Sequence, residues 1–196
     1  MTRSQLSLFP DQLPEGLLYR SGYLTIAEEA SLVAWIDAAP WRDDLRRRVQ
    51  HYGYRYDYKA RRARREDHLG PLPEWLDPIL LKLCADGLFA QRPDQVIVNE
   101  YLPGQGISAH VDCEPCFGDC IASISLLSGC MMTFTELGTM NAAQVYLEPC
   151  SLLHMQGPAR SNWTHAIPAR KSDVLSGGSV LRTRRVSLTF RTMRFS

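Results

Sequence analysis

From Gln95 onward the chain breaks into short β-type runs: QVIVNEYL, GISAHVD, CIASISLL, CMMTFTE, AQVYLE, CSLLHMQ and RRVSLTFRTMR. Gly, Pro and Asn punctuate them at near-regular intervals. Short strands at such spacing cannot bury themselves singly and predict a sandwich or jelly roll. The first half reads differently. GLLYRSGYL (16–24) suggests one early strand. Thr25 with Glu28 three residues on forms a capping box, and Leu32, Trp35 and Ile36 mark the inward face of a helix running to about Asp37, with Pro40 ending it. A second helix is predicted over 74–87, with Trp75, Ile79 and Leu83 on one face and Pro78 in its first turn. The expected class is α+β in a single domain over 1–196. Helical and lid elements would fill 1–92, and the jelly-roll core 93–196.

The chain has 196 residues, 45% of them hydrophobic, enough for a sizeable core. No apolar run reaches membrane-spanning length, and MTRSQLSLFPDQLPEG lacks the apolar core of a signal peptide. A cytoplasmic monomer with no membrane partner is the expectation. In that compartment six cysteines read as thiols or ligands rather than a disulfide frame. Cys113, Cys116 and Cys120 are read as loop thiols. Zinc is the competing reading, and it would need a fourth ligand from His51 or Cys130.

Net charge is only +1, yet residues 42–65 hold ten basic and three acidic side chains, a local +7. Arginine forks suit phosphate, so the stretch is a candidate backbone-contacting stripe, although a solvated charged hairpin has the same composition. HYGYRYDYKARRARR adds Tyr52, Tyr54, Tyr56 and Tyr58 at alternate positions, which a strand would place on one face. Aromatics beside arginines grip unstacked bases. They equally pack a sheet on a helix.

His110 and Asp112, two apart in a predicted strand, point the same way. His165 lies 55 residues on, after strands able to bring it back. Two imidazoles and one carboxylate on one side of a metal leave the other side open, as in non-haem Fe(II) oxygenases. A chance surface His–Asp pair with an unrelated histidine is the alternative. The last strand weighs against chance. Arg185, Ser187, Thr189 and Arg191 share one of its faces, and buried arginines need anionic partners. Their backbones stand about 20 Å apart at roughly 3.3 Å per residue, which leaves a small dicarboxylate's length between two inward-leaning guanidinium groups. Asn99 and Tyr101 add an amide and a phenol. The combination points to 2-oxoglutarate. His154, in an apolar strand, reads as a core histidine, His68 as loop and Arg160 as structural.

Asn99, Tyr101, His110, Asp112, His165, Arg185 and Arg191, in this order and spacing, resemble the pattern of AlkB-type 2-oxoglutarate- and Fe(II)-dependent dioxygenases over roughly 45–194. GPARSNWTHAIP is similar to the branch holding the eukaryotic tRNA-modifying homologue and bacterial relatives. The resemblance implies a double-stranded β-helix with a nucleotide-recognition lid. It implies Fe(II) on His110, Asp112 and His165, with O2 as cosubstrate. Arg185, with Asn99, Tyr101 and Ser187, would take the far carboxylate of 2-oxoglutarate, and Arg191 the C1 end. It further implies oxidative N-dealkylation of bases in DNA or RNA, with succinate, CO2 and formaldehyde released and single strands favoured. Oxidation of a protein side chain or a modified tRNA nucleoside by the same core is the alternative. On the substrate side, Gly53, Tyr54 and Tyr56 match the family's G-Y-x-Y. Arg47 falls where the bacterial prototype stacks a tryptophan, and Glu114 falls where a second acidic residue would meet an exocyclic amine. A catalytically silent jelly-roll binding module is disfavoured by the intact triad and both arginines.

Overall fold

The computed structural model describes residues 13–43 and 45–195. The start of the chain read for a signal peptide falls mostly at 1–12, outside the described residues. The elements run β1 (Leu17–Arg20), α1 (Ile26–Ala38), β2 (Val49–Tyr52), α2 (Asp77–Ala85), β3 (Gln95–Tyr101), β4 (Ile107–His110), β5 (Phe117–Leu126), β6 (Cys130–Glu136), β7 (Ala142–Leu147), β8 (Ser151–Gln156), α3 (Gly157–Ser161), β9 (Trp163–Ile167), β10 (Ser172–Leu175), β11 (Gly178–Leu181) and β12 (Arg185–Met193). None of these helices is long and apolar enough to cross a membrane.

Antiparallel pairing builds a major sheet in the order β1-β8-β5-β12-β3-β2 and a minor sheet in the order β4-β9-β6-β7, with β10 and β11 as a separate hairpin. Period-two alternation gives the major sheet two different faces. Val96, Val98, Ala122, Ile124, Leu126, Val186, Leu188 and Phe190 pack against Leu32 and Ile36 of α1 and Ile79, Leu80 and Leu83 of α2. On the opposite face Ile121, Leu153 and Met155 meet Met132, Phe134, Val145 and Leu147 of the minor sheet. The facing sheets form the jelly roll, and the alternate residues of β3, β5 and β12 are thereby aimed into its interior.

The capping box of α1 is present: Thr25 Oγ1 accepts from Glu28 N–H at 3.2 Å, and Thr25 N–H donates to Glu28 Oε2 at 2.7 Å. Trp35, read as inward, is 56% exposed, because Leu32 and Ile36 suffice to cover the sheet. The predicted helix over 74–87 divides into a 3-10 turn at Glu74–Leu76 and α2, as a proline near the first turn requires. The strand expected at 106–112 stops at His110.

The tyrosine ladder is broken. β2 ends at Tyr52 and Gly53 turns the chain at φ +75°. A Cβ at Gly53 would stand 1.8 Å from the Asp94 carbonyl oxygen, so glycine alone allows this approach. Beyond it the chain leaves the sheet, and the four tyrosines no longer share a face. Tyr52 packs edge-on against Trp75 on the helix side, Tyr54 against His68 and Phe195, and Tyr56 against Tyr58 and Phe117.

Candidate active site

A cavity of about 650 Å³ opens between the sheets. On one wall β4 and β9 pair so that His110 stands opposite His165, after a register shift from Ile107. Asp112 follows just past β4. His110 Nε2 is 3.3 Å and His165 Nε2 3.7 Å from Asp112 Oδ1. The three ligand atoms lie within 4.8 Å of one another, and among the described residues this is the group able to hold a metal ion.

The polar neighbours orient the set. His110 Nδ1 lies 2.8 Å from the Ser108 carbonyl, which accepts its proton, so Nε2 offers its lone pair. Arg191 Nε and Nη2 bind Asp112 Oδ2 at 2.8 and 2.7 Å, leaving Oδ1 toward the histidines. Burial opposes ionisation of Asp112, yet Arg191 and the histidines hold its carboxyl well below the usual range. Burial, with the like charges of His110 and Arg191, brings His165 down to about 4 against the pull of Asp112, so its imidazole is neutral near pH 7. A buried anionic carboxylate with two imidazole nitrogens forms the hard, open donor set that suits Fe(II).

β12 carries the second half. Arg185 is buried and paired in register with Tyr101, and Ser187 lies between Asn99 and Ser125. Arg185 Nη2 donates to Ser125 Oγ at 2.7 Å, and its guanidinium stands 5.3 Å from the Tyr101 ring. Its Nε and Nη1 are buried without a partner among the described residues. Buried unsatisfied donors of a cation call for an anion. Burial keeps the Tyr101 phenol protonated despite Arg47 and Arg185 nearby, so it too remains a donor. This end of the cavity fits a carboxylate.

The expected clamp at the other end differs. Arg191 binds Asp112, and its Nη1 donates to Gln95 Oε1 at 3.1 Å. Its donors are engaged by Asp112 and Gln95, partners of which the spacing argument had no view. Arg160 donates to the carbonyls of Asp112 and Cys113 at 3.0 and 3.4 Å and so pins the ligand loop. His154 is a core histidine, with Nε2 2.9 Å from the Leu88 carbonyl.

The remaining wall comes from 45–61. Arg46, Arg47, Tyr56, Tyr58 and Arg61 line the cavity. Arg47 Nε donates to Asn99 Oδ1 at 2.9 Å and its guanidinium lies 5.9 Å from the Tyr58 ring. Two expected substrate residues are elsewhere. Tyr54 stacks on His68 and Phe195, outside the lining, because Gly53 redirects it. Glu114 is exposed on the loop after Asp112, also outside the lining. Arg48 is committed to Glu100 at 2.6 Å. Gln95 and Ser125 were missed. For Ser125 a signal existed, since CIASISLL places Ser123 and Ser125 at alternate positions of a strand otherwise fit for the core.

The cysteine expectation is corrected. Cys113 and Cys116 form a disulfide, so they are not free thiols. Cys84, Cys120, Cys130 and Cys150 are free, and none joins a metal-ligating group among the described residues.

The model of the 2OG-Fe(II) oxygenase superfamily matches residues 39–191. The chain belongs to that superfamily. It is 37% identical to the "Alkylated DNA repair protein ALKBH8 homolog" of Arabidopsis thaliana, over 91% of this chain and 58% of that protein. It is 35% identical to the "tRNA (carboxymethyluridine(34)-5-O)-methyltransferase ALKBH8" of Mus musculus, over 94% of this chain and 31% of that protein. The chain thus spans 58% and 31% of the length of these two relatives. Its fold is similar to the solved structure of OsALKBH1, with TM-score 0.69, 19% identity, and 94% of this chain and 99% of that one covered. The superfamily is that of the oxygenases of Fe(II) and 2-oxoglutarate, and His110, Asp112 and His165 are placed to hold the metal.

Proposed function

We propose that the chain hydroxylates an alkyl carbon on a base of single-stranded nucleic acid, so that an N-methyl group leaves as formaldehyde while 2-oxoglutarate becomes succinate and CO2. The observation that carries this reading is the wall of Arg46, Arg47, Arg61, Tyr56 and Tyr58 on the same cavity as His110, Asp112 and His165. Guanidinium groups suit phosphate and base edges, and phenol rings suit an unstacked base. Extruding a base costs a few kcal/mol in a duplex and little in a single strand.

In this reading His110, Asp112 and His165 hold Fe(II), which when bound supplies O2 activation. Arg185 takes the far carboxylate of 2-oxoglutarate, with Tyr101 and Ser187 beside it. Arg191 keeps Asp112 ionised and aimed. Tyr56 and Tyr58 flank the base, and Arg47, steadied by Asn99, stacks or donates to it. Hydroxylating the carbon beside nitrogen gives a hemiaminal, which collapses without further help from the protein.

A second reading, oxidation of a modified tRNA nucleoside, is favoured by the tRNA-modifying name of the mouse relative. The test is to present methylated single-stranded DNA, methylated RNA and bulk tRNA side by side with 2-oxoglutarate and Fe(II). Formaldehyde from the methylated oligonucleotides, weakening with salt as phosphate contacts are screened, is expected. Arg46→Ala with Arg61→Ala should flatten that salt dependence. Formaldehyde absent throughout, with one oxygen gained by a tRNA nucleoside, would replace the first reading by the second.

A further inference from the structure

The loop after Asp112 carries chemistry that hydroxylation does not use. Cys113 follows the ligand directly, lines the cavity and is half-exposed, whereas Cys116 is buried. Their disulfide closes a link with a sequence separation of only 3. So short a closed loop removes little entropy from the unfolded chain, so the bond is held weakly by folding. Cystines with one accessible sulfur and little such support are the ones open to exchange.

Both sulfurs lie against one backbone atom across the cavity mouth. Cys113 Sγ is 3.4 Å and Cys116 Sγ 3.9 Å from the Arg61 carbonyl oxygen. Arg61 has φ 51°, a left-handed conformation disfavoured for arginine. It sits in a tight tip closed by reciprocal Asp57 and Arg62 backbone bonds of 2.9 and 3.2 Å. The Asp57 carboxylate accepts from the Lys59 and Ala60 N–H groups at 2.9 Å. The base of the disulfide loop is fixed by Arg160 on the Cys113 carbonyl and by the Arg194 N–H on the Cys116 carbonyl at 2.8 Å. Two thiols need more room than one disulfide, since unbonded sulfurs separate to van der Waals contact. With the base pinned, the element that gives way is the strained tip.

We propose that Cys113–Cys116 is a thiol–disulfide exchange site for small-molecule thiols, whose oxidised form holds the Arg61 tip over the cavity and whose reduced form releases it. A thiolate attacks Cys113 Sγ, and the S–S bond breaks toward Cys116, whose sulfur takes a proton from solvent. A second thiolate attacks the outer sulfur of the mixed disulfide and frees Cys113. Two thiols thus become one small disulfide, and the protein gains two electrons and two protons. The site stands on the geometry of the tip; its consequence for turnover rests on the nucleic-acid reading.

The experiment equilibrates the full chain with glutathione or its disulfide, maps alkylated cysteines by mass spectrometry, and times tryptic cleavage within 59–65. Reduction should make Cys113 and Cys116 alkylatable and speed cleavage several-fold. Cys113→Ser with Cys116→Ser should cut at the reduced rate in either buffer. If that variant fails to fold, Cys113→Ala, which equally cannot close the bond, serves the same comparison. Cysteines that glutathione never opens, or a cleavage rate indifferent to reduction, would overturn the proposal. A second arm compares KM for a methylated oligonucleotide with KM for 2-oxoglutarate; a several-fold rise in the first alone is expected on reduction. Faster cleavage with an unchanged oligonucleotide KM would uphold the exchange site and overturn the wall's role in nucleic-acid binding.

Discussion

Replacing Arg185 with methionine should leave the metal-free protein about as stable as the parent and make it blind to 2-oxoglutarate. Arg185 is 3% exposed, and two of its donors, Nε and Nη1, have no partner among the described residues. Each unsatisfied donor costs about 1–3 kcal/mol, together about 2–6. Methionine forfeits the charge-assisted bond to Ser125, about 1.5–3 kcal/mol, and the cation–π contact with Tyr101, about 2 kcal/mol for a desolvated pair. It fills a similar volume. The two sides cancel to within about 1 kcal/mol, or about 2–4 °C in Tm for a chain of this size. Ligand should separate the two proteins. At 2-oxoglutarate a hundredfold above Kd, with Mn(II) in place of iron to prevent turnover, the parent gains about 2.7 kcal/mol and the variant nothing. Thermal melts of both proteins, with and without cosubstrate, read the separation. A variant less stable than the parent by about 4 kcal/mol without ligand would mean the orphaned donors carry no penalty. A variant shifted by 2-oxoglutarate as far as the parent would mean that Arg185 does not bind it.

Asp112→Ala should abolish succinate formation and also destabilise the metal-free protein by about 3–5 kcal/mol, because Arg191 is left as a buried cation with no carboxylate, only the Gln95 amide and the Phe117 ring beside it. Urea melts should show most of that loss recovered when Arg191→Met is added; a single variant as stable as the parent would refute the pairing. Stability should also depend on acid. His165 is lowered to about 4 chiefly by burial, which outweighs the pull of Asp112, and His154 is lowered by burial against the Leu88 carbonyl, both from 6.5. Below 6.5 the unfolded chain takes up protons that the folded one refuses, so metal-free stability should be full above pH 6.5 and fall steadily toward pH 4. Urea midpoints at pH 7, 6 and 5 check it, and a flat or rising profile toward acid would contradict the neutral buried histidines.

What the chain states about itself follows from how local each signal is. Val186, Leu188 and Phe190 alternate with Arg185, Ser187, Thr189 and Arg191, so the two faces of β12 and the clamp at Arg185 are written in seven consecutive residues. The triad is legible for a similar reason. A histidine two residues from an aspartate needs only a short extended segment, and the register of β4 with β9 supplies His165. The lid is different. Tyr52 to Tyr58 alternate as well as any strand, but Gly53 packs against Asp94, a contact 41 positions away, and it sends the tyrosines to three separate environments. Alternation describes a strand only while the backbone remains one.

The role of Arg191 shows the same limit in electrostatic form. Two arginines six apart on an inward face look equivalent in sequence, and a dicarboxylate between them satisfies both. In the fold only Arg185 is left with unpaired donors, because the loop after β4 returns Asp112 to Arg191. That return links the two halves of the site: the arginine that neutralises Asp112 rises from the same strand as the arginine with the unpaired donors. Nine residues of β12 therefore set both the charge on the triad and the anion site beside it. A displacement of β12 against β5 or β3 would disturb the triad and the anion site together, and the strand is bonded on both edges, inside the major sheet rather than at its rim.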